Sequence, residues 1–360
     1  MSYLITRANI ESNKAFQRLL DKTQVLATKL GRQEIVKNRL THSYEVATSS
    51  EIIAQTISTH AFNADYQNSV YNVSLLHDIG HPPFGHDGAK RLSNVCKDLG
   101  VEEGFSDNNN NFVVIKKNQI EVSDYELASL IKYPTKLYKS QKSYRELLEK
   151  AIDEDIAYFG DKIAIDKRPK RTVSCEIMDE ADRNTYTCAD LADCYCLGLA
   201  DERELVDMLN SDKFYNVEII ELLTVAIQAV KKRNKTLIKN TFNKLKIRLN
   251  QNYTLAKNLK LKHRDKQLFE FREALNKLCM RIYIRSDYVK QNRDIERKYI
   301  DFYIDYVLNN EDYASQYYSR KIKEAKKDVE KYTLIRDMIA DSTDNFIKAF
   351  YEDKHNCIEQ

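Results

Sequence analysis

The chain has little glycine and proline, 8 and 4 residues respectively among 360. All-β folds need these residues at their many turns, so their scarcity favours helices. No apolar run approaches the roughly 18 residues of a membrane-spanning helix, and residues 1–13 lack the layout of a signal peptide. The 7 cysteines are odd in number and irregularly spaced, which suits a reducing compartment better than a disulfide framework. We expect an all-α cytoplasmic protein with no membrane segment.

The net charge of +3 hides an uneven distribution. Between Lys231 and Lys266 the single acidic residue is Asp265, among many lysines and arginines. Such a run can attract phosphates or a single-stranded nucleic acid. A solvated helix face is the more common explanation, and aromatic residues do not alternate through the run at base-stacking density. Nucleic-acid binding is therefore a side hypothesis.

The spacing of apolar residues predicts a series of amphipathic helices. The first is predicted over residues 16–27, the second over about 38–57, and a third approaches Leu76. Helical structure should end near His77, because Gly80 and two prolines follow closely. Later helices are predicted over residues 89–99, 145–159 and 174–199, with another capped by Ser123 and stopped by Pro134.

The remainder of the chain, residues 201–355, contains neither glycine nor proline and is predicted to form long helices. We find no internal repeat, no Gly/Ser linker and no persistent heptad pattern. We therefore expect a core of residues 1–200 and a helical extension of residues 201–360 that packs on it, in one continuous body.

One short segment, LLHDIGHPPFGHDG at residues 75–88, holds three of the 7 histidines, three of the 8 glycines and two of the 4 prolines. Its adjacent pair His77 and Asp78 offers a nitrogen and an oxygen ligand to one metal ion. His81 and His86 follow at distances that let a loop bring them back over the same ion. The segment has the outline of a metal-assisted hydrolase site.

Two further residues could complete the ligand set: His42 on the second predicted helix and Asp182 on the helix of residues 174–199. Two imidazoles and two carboxylates suit Mn²⁺, Fe²⁺, Mg²⁺ or Zn²⁺ and leave coordination positions open for water and a phosphate oxygen. Taken singly, a lone histidine is more often a surface or core residue, and an isolated helical aspartate is usually solvated. The joint pattern favours a metal site.

Asp182, Tyr186 and Asp190 are four residues apart and share one helix face. Asp182 could hold the ion while Tyr186 and Asp190 reach toward a substrate hydroxyl, and Arg183 could contact a phosphate. An exposed polar stripe would show the same spacing, so this alternative stays open. The cysteines of the same stretch have the wrong spacing for a zinc site and are expected to be small buried thiols: Cys188, Cys194 and Cys196.

Taken together, these residues resemble the HD-domain metal phosphohydrolases. Several longer strings resemble the deoxyguanosine triphosphate triphosphohydrolase branch of that family, at both ends of the chain but weakly over residues 205–329. The strings are FQRLLDKTQV at residues 16–25, RLTHSYEV at 39–46, LHDIGHPPFGH at 76–86, LIKYP at 130–134 and RDMIADSTD at 336–344.

The resemblance implies an all-α HD-domain fold with additional C-terminal helices. It also implies an enzyme that hydrolyses a deoxynucleoside triphosphate, dGTP or several dNTPs, to the deoxynucleoside and inorganic triphosphate. A divalent cation is the implied cofactor, with Mn²⁺ or Mg²⁺ expected first and Fe²⁺, Zn²⁺, Co²⁺ or Ni²⁺ as alternatives. Relatives assemble, so a homo-oligomer is expected.

Site roles follow from the resemblance position by position. His42, His77, Asp78 and Asp182 would hold the ion. His81 and His86 would face the triphosphate, with His86 as the proton-transfer group. The implied substrate contacts are Arg39, Asn108, Lys132 and Arg183 for the phosphates, Gln24 and Val25 beside the sugar and base, and Tyr186 and Asp190 for the sugar.

One departure from the family pattern concerns His86. Members of this branch usually carry Glu three residues after the corresponding histidine, whereas this chain has Ala89. Asp87 is the candidate substitute, although a helix that begins there would aim it elsewhere. The connection between His42 and His77 is also compact, which leaves base preference open.

Two other classes of protein remain as alternatives. Another HD phosphohydrolase would share the four ligands but release orthophosphate or a nucleoside monophosphate. A catalytically weak nucleotide or single-stranded nucleic-acid sensor would be compatible with Ala89 and with the basic run, and it would bind single-stranded DNA in a salt-dependent way.

Overall fold

The computed structural model describes residues 3–25, 37–57, 64–137, 141–160, 163–211, 213–310, 313 and 316–358. Helices dominate from the start of this part of the chain, and short 3₁₀ turns cover Arg18–Asp21 and Pro134–Lys136. The first helices are α1 (Tyr3–Ser12), α2 (Lys14–Gln17), α3 (Arg39–Ile57), α4 (Ala64–Leu76), α5 (Gly85–Asp98), α6 (Asp107–Lys117), α7 (Asp124–Ser129), α8 (Ser143–Gly160) and α9 (Val173–Cys196).

The rest of the described chain is also helical, apart from one small hairpin whose strands pair antiparallel. The hairpin strands are β1 (Tyr253–Leu255) and β2 (Leu261–His263). The helices are α10 (Arg203–Leu209), α11 (Val217–Lys231), α12 (Lys235–Asn250), α13 (Lys266–Cys279), α14 (Asp287–Asn309), α15 (Gln316–Glu324), α16 (Asp328–Asp341) and α17 (Asp344–Ile358). The predicted all-α fold class is confirmed.

Helix α9 is the central element, and it packs against α3, α4 and α12. The Thr172 side chain caps its N-terminus by accepting a hydrogen bond from the Cys175 N–H (3.1 Å). Most of its residues are buried even though many are polar. Buried polar groups need hydrogen-bond partners. Asn184, for example, donates a hydrogen bond to the Asn250 side-chain oxygen (2.9 Å). Other polar groups of α9 line the site described below.

Helices α3 and α4 pack on each other and on α9. Their apolar sides share one cluster, to which Val46, Val70 and Ile177 each contribute a fully buried side chain. Burial of this kind contributes about 1.5–3 kcal/mol per large aliphatic side chain. The packing brings the end of α4 close to α3 and α9.

The second half of the chain extends the hydrophobic core of the first. The end of α9 shares a buried cluster with α11, α12 and α13, represented by Leu191, Phe242 and Phe271. Helix α5 shares another with α14, α16 and α17, in which Leu92 packs with Ile339. Apolar clusters therefore extend across residue 200. The division into a core of residues 1–200 and an extension of residues 201–360 stays a proposal.

Two secondary-structure predictions were wrong in part. The helix predicted over residues 16–27 begins at Lys14, because Asn13 accepts a hydrogen bond from the Ala15 N–H (2.9 Å) and caps it. It gives way to the 3₁₀ turn by Arg18, and residues 26 and 27 lie outside the described residues. The hairpin interrupts a region predicted as wholly helical. Its reversal places Leu259 at φ 55°, a conformation usually marked by glycine.

Most other predicted boundaries agree with the structure to within a few residues. Ser123 forms a capping box with Glu126 at the start of α7, as its position in the sequence predicts. Across the described helices, none combines the length and apolarity that crossing a membrane requires.

Candidate metal centre

His77 and Asp78 lie in a tight turn directly after α4. The His81 N–H donates to the Asp78 carbonyl oxygen (3.1 Å), which closes the turn. Phe84 and Gly85 then adopt the left-handed conformation, each with φ 58°. For Phe84 this backbone conformation is unusual and must be imposed by its surroundings. The chain reverses there and enters α5 beside the turn.

The first turn of α6 fixes this segment from one side. Asn111 Nδ2 donates to the His77 carbonyl oxygen (2.9 Å), and Asn111 Oδ1 accepts from the Gly80 N–H (2.7 Å). Asn110 Nδ2 donates to the Gly80 carbonyl oxygen (2.7 Å). The asparagine run of residues 108–111 therefore lies in the first turns of α6 and clamps the His-Asp turn.

Gly80 allows this close approach, which leads to a stability prediction. A Cβ at Gly80 would lie 2.4 Å from the Asn111 nitrogen and 2.4 Å from the Asp107 carbonyl oxygen, both backbone atoms. Gly80→Ala is expected to lower the free energy of unfolding by about 3 kcal/mol, measured by chemical denaturation. Gly160→Ala is the control, since a Cβ there meets nothing within 4 Å. Equal losses in the two variants would contradict this packing.

Residues from both ends of the chain hold the other side of the turn. The Asp344 carboxylate accepts from the backbone N–H groups of Thr23 (2.8 Å) and Phe84 (2.9 Å). The buried Lys22 ammonium donates to the His81 carbonyl oxygen and to a carbonyl of α16 (2.8 Å). The sequence strings at the two ends of the chain thus meet behind the His-Asp turn.

Four predicted ligands converge at one point. The ligand atoms of His42, His77 and Asp78 all lie within 4.8 Å of one another. Asp182 Oδ1 lies 3.1 Å from His42 Nε2 and 3.7 Å from His77 Nε2. His77 Nε2 is also 3.4 Å from Asp78 Oδ1. Separations of this size are those expected between atoms that share one ion at about 2.0–2.3 Å.

The hydrogen bonding of His77 tests whether a cation fits here. His77 Nδ1 lies 2.7 Å from the Ser74 carbonyl oxygen, so this nitrogen carries the proton and donates it. Within the described residues, His77 Nε2 is buried and has no hydrogen-bond partner. An imidazole oriented in this way presents a free lone pair to a metal. The donor set of two imidazoles and two carboxylates therefore fits a divalent cation.

Basic side chains surround the two carboxylates. Arg39 Nη1 donates to Asp78 Oδ2 (2.6 Å), and Lys132 Nζ lies 3.3 Å from Asp182 Oδ2 and 2.9 Å from Asp179 Oδ1. Burial opposes the charge on Asp182, but Lys132, His42 and His77 together outweigh it and hold the pKa of that carboxyl well below its usual range. Both carboxylates are therefore ionised and ready to bind a cation.

A second cluster contains His81, His86 and Asp107. Asp107 Oδ2 lies 3.1 Å from His81 Nε2 and 3.5 Å from His86 Nδ1. His81 Nδ1 lies 3.2 Å from Asp78 Oδ1, so His81 stands between the two clusters. His81 is buried, whereas 83% of the His86 side chain is exposed. The sequence reasoning did not identify Asp107, although its place after Ser106, a residue suited to helix capping, marks it as a helix-start residue.

Asp87, the candidate substitute for the family's glutamate beside His86, has a different partner. Its carboxylate Oδ2 lies 3.0 Å from Arg293 Nε on α14. Asp87 occupies the first turn of α5, which directs its side chain toward α14. Ala89 packs partly buried against the cluster between α5 and the C-terminal helices. The suggested substitution of Asp87 for the missing glutamate is therefore not supported by its geometry.

Tyr186 and Asp190 follow Asp182 on the same face of α9. Burial, with Asp182 nearby, raises the pKa of Tyr186 to about 12, so its hydroxyl stays protonated. Burial and then Asp193 raise the pKa of Asp190 well above its usual range. Arg183 is partly exposed and lies 3.7 Å from Glu180. Asp190 is buried, so the alternative of an exposed polar stripe does not hold for this residue.

Three other predicted contacts lie on neighbouring elements. Asn108 Nδ2 donates to Asp107 Oδ1 (2.9 Å) and shares a cavity of about 220 Å³ with Lys132. Gln24 Oε1 is buried and lacks a hydrogen-bond partner within the described ranges. Val25 packs against the cluster at the end of α9.

The basic run of residues 231–266 is divided among α12, the hairpin and the start of α13. Several of its cations pair with carboxylates from elsewhere: Lys246 with Glu45 (3.2 Å) and Arg248 with Glu218 (2.5 Å). This arrangement favours surface and interhelical ion pairs over a continuous binding stripe. Nucleic-acid binding stays a prediction.

The helical fold carries a His/Asp centre that could hold a metal ion, an arrangement that suits a metal-assisted hydrolase. Residues 39–185 match the family described as HD domain, and this range contains all four clustered ligands. The resemblance to the HD-domain family is therefore confirmed, and the chain is similar to deoxyguanosinetriphosphate triphosphohydrolase-like proteins.

Several relatives carry that name. The protein from Leptospira interrogans is 26% identical over 365 residues, covering 96% of this chain and 87% of the relative. The protein from Wolinella succinogenes is 31% identical over 218 residues, with 57% of this chain and 53% of the relative covered. The protein from Shewanella loihica is 29% identical over 243 residues, with shares of 55% and 54%.

Proposed function

We propose that the protein hydrolyses deoxynucleoside triphosphates to the deoxynucleoside and inorganic triphosphate, with a divalent cation as cofactor. The observation that carries the proposal is the convergence of His42, His77, Asp78 and Asp182. His77 Nε2 is buried there and has no hydrogen-bond partner among the residues that the structure describes. The name shared by the relatives supports the substrate class. Mn²⁺ and Mg²⁺ are the proposed ions.

The ion would be held by those four side chains. When bound, it would neutralise charge on the phosphoryl oxygens and lower the pKa of a coordinated water toward about 7. Arg39 holds Asp78 in position through its 2.6 Å hydrogen bond. Lys132, with Asn108 in the adjoining cavity, supplies polar contacts for the phosphate chain. Arg183 is exposed enough to reach a further phosphate oxygen.

His86 is the proposed proton-transfer group. Its ring is exposed, so a substrate could contact it, and an imidazole can give or take a proton. His81 faces a carboxylate with each ring nitrogen and is therefore proposed to act on the phosphates as a fixed positive group.

Recognition of the sugar is assigned to Tyr186 and Asp190, with Gln24 and Val25 beside the sugar and base. The protonated Tyr186 hydroxyl would exclude a ribose 2′-hydroxyl by contact, and Asp190 would bond the 3′-hydroxyl. When the wrong substrate leaves a buried polar group of the site without a partner, the site can discriminate strongly against that substrate.

A homo-oligomer is also proposed, and mass photometry of the purified protein tests it.

The direct test is incubation of the purified protein with each dNTP and with GTP in Mn²⁺ and in Mg²⁺, with products separated by ion-exchange chromatography. The expected result is deoxynucleoside plus inorganic triphosphate from at least one dNTP, and at least about 100-fold slower turnover of GTP than of dGTP if dGTP is a substrate. Release of orthophosphate or of a nucleoside monophosphate would instead assign another HD phosphohydrolase activity.

A further inference from the structure

We propose that Asp107, the first residue of α6, is the positioning residue for His86 and His81. The neighbouring helix α5 offers no carboxylate to His86. The proposal rests on the proposed function, in which His86 transfers a proton to or from the substrate. The positioning of His86 is thereby assigned to a residue that lies 21 positions further along the chain, on another helix.

The two oxygens of Asp107 have separate partners. Oδ1 accepts from the Asn108 backbone N–H (2.8 Å) and from Asn108 Nδ2 (2.9 Å). Oδ2 is thereby turned toward the histidines, 3.1 Å from His81 Nε2 and 3.5 Å from His86 Nδ1. Burial opposes the charge on Asp107, but His81 and His86 together outweigh it and keep the pKa of the carboxyl far below its usual range. The group that faces the imidazoles is therefore an anion.

The position of this carboxylate is fixed by the backbone. Ser106 caps α6 by accepting from the Asn109 N–H (3.3 Å), so Asp107 is the first residue of the helix. The Asp107 carbonyl oxygen packs against Gly80 so closely that a Cβ there would lie 2.4 Å away. The same α6 turn clamps the His-Asp motif through its asparagines. Asp107 therefore moves as one unit with the metal centre, which is what a positioning group requires.

The neighbouring residues on α5 do not provide this contact. Asp87 pairs with Arg293, and Ala89, one helical turn after His86, has no polar group. Because Nδ1 of His86 faces Asp107, its Nε2 is left to face a substrate. The i to i+3 spacing from His86 to residue 89 means that a carboxylate placed at 89 could reach the same ring.

The experiment compares Asp107→Asn and Asp107→Ala with the wild-type protein and with Asp98→Asn, an exposed carboxylate on α5. Both Asp107 variants are expected to lose about 10- to 100-fold in kcat with KM little changed, the usual cost of removing an orienting partner. Asp98→Asn is expected to match the wild type. In the Asp107→Ala background, Ala89→Glu is expected to restore about tenfold of the lost kcat, whereas Ala89→Glu alone should change kcat little.

A measurement without substrate separates this proposal from the proposed function. In Mg²⁺, the ¹⁵N shifts of the His86 ring are expected to move in Asp107→Asn and to stay unchanged in Asp98→Asn, whatever reaction the protein catalyses. Unchanged His86 shifts, or a wild-type kcat in both Asp107 variants, would overturn the assignment. Loss of one of two bound Mn²⁺ ions from Asp107→Asn would also overturn it, because the cluster would then be a second metal site.

Discussion

Replacement of His77 or Asp182 is expected to abolish metal binding and turnover together. His77→Ala removes the unpartnered Nε2, and Asp182→Asn removes one negative charge from the centre while keeping the side-chain shape. Loss of an outer partner of a metal ligand already costs about 10- to 100-fold, so loss of a ligand is expected to lower kcat by more than about 1,000-fold. Bound Mn²⁺ after gel filtration, measured by plasma mass spectrometry, should fall from one ion per chain toward zero.

Two controls make the result specific. Asp153→Asn changes a solvent-exposed carboxylate on α8 and is expected to keep both metal and activity. The circular dichroism spectra of the metal-free variants should match that of metal-free wild type, which separates loss of the ion from loss of the fold. Triphosphate release at the wild-type rate by His77→Ala would remove the proposed centre.

Asp344→Ala is expected to cause the largest loss of stability. The carboxylate accepts from the buried N–H groups of Thr23 and Phe84 and lies near the buried Lys22 ammonium. The alanine variant would leave two donors unsatisfied and Lys22 less compensated. Each buried unsatisfied group costs about 1–3 kcal/mol, and breaking a buried charge arrangement costs about 3–5 kcal/mol. We expect the free energy of unfolding to fall by about 3–5 kcal/mol.

Urea denaturation in the presence of EDTA measures this loss without the contribution of a bound ion. Asp344→Asn, which keeps one acceptor oxygen, is expected to lose less than the alanine variant. Asp353→Ala, an exposed residue of the same helix, should change stability by less than about 0.5 kcal/mol. If Asp344→Ala were as stable as Asp353→Ala, the C-terminal helices would not support the His-Asp turn in the way the contacts indicate.

The position of the His-Asp turn in the candidate metal centre was predictable because its signals are local. A His-Asp pair followed by glycine and proline ends a helix at a known place, so the position of the turn after α4 follows from residues 75–88 alone. His42 and Asp182 lie on two of the predicted helices, α3 and α9. Their convergence on His77 depends on how α3, α4 and α9 pack. The joint pattern of residues suggested this convergence, and the resemblance to the family then implied it.

Long-range contacts account for what the sequence reasoning missed. Asp107 belongs to a polar run that has the composition of a loop, and its role depends on Gly80, 27 residues away, lying against α6. Asp344 acts on Thr23 and Phe84 across most of the chain. The hairpin escaped prediction because its turn uses Leu259 in a left-handed conformation where glycine would have been the signal.

The most direct test of the central claim is an anomalous diffraction map from crystals grown with Mn²⁺. It locates the bound ion without reference to activity or substrate. We predict one strong peak per chain at about 2.0–2.3 Å from His42 Nε2, His77 Nε2 and a carboxylate oxygen each of Asp78 and Asp182. A peak held by other residues, with those four side chains turned apart, would contradict the account.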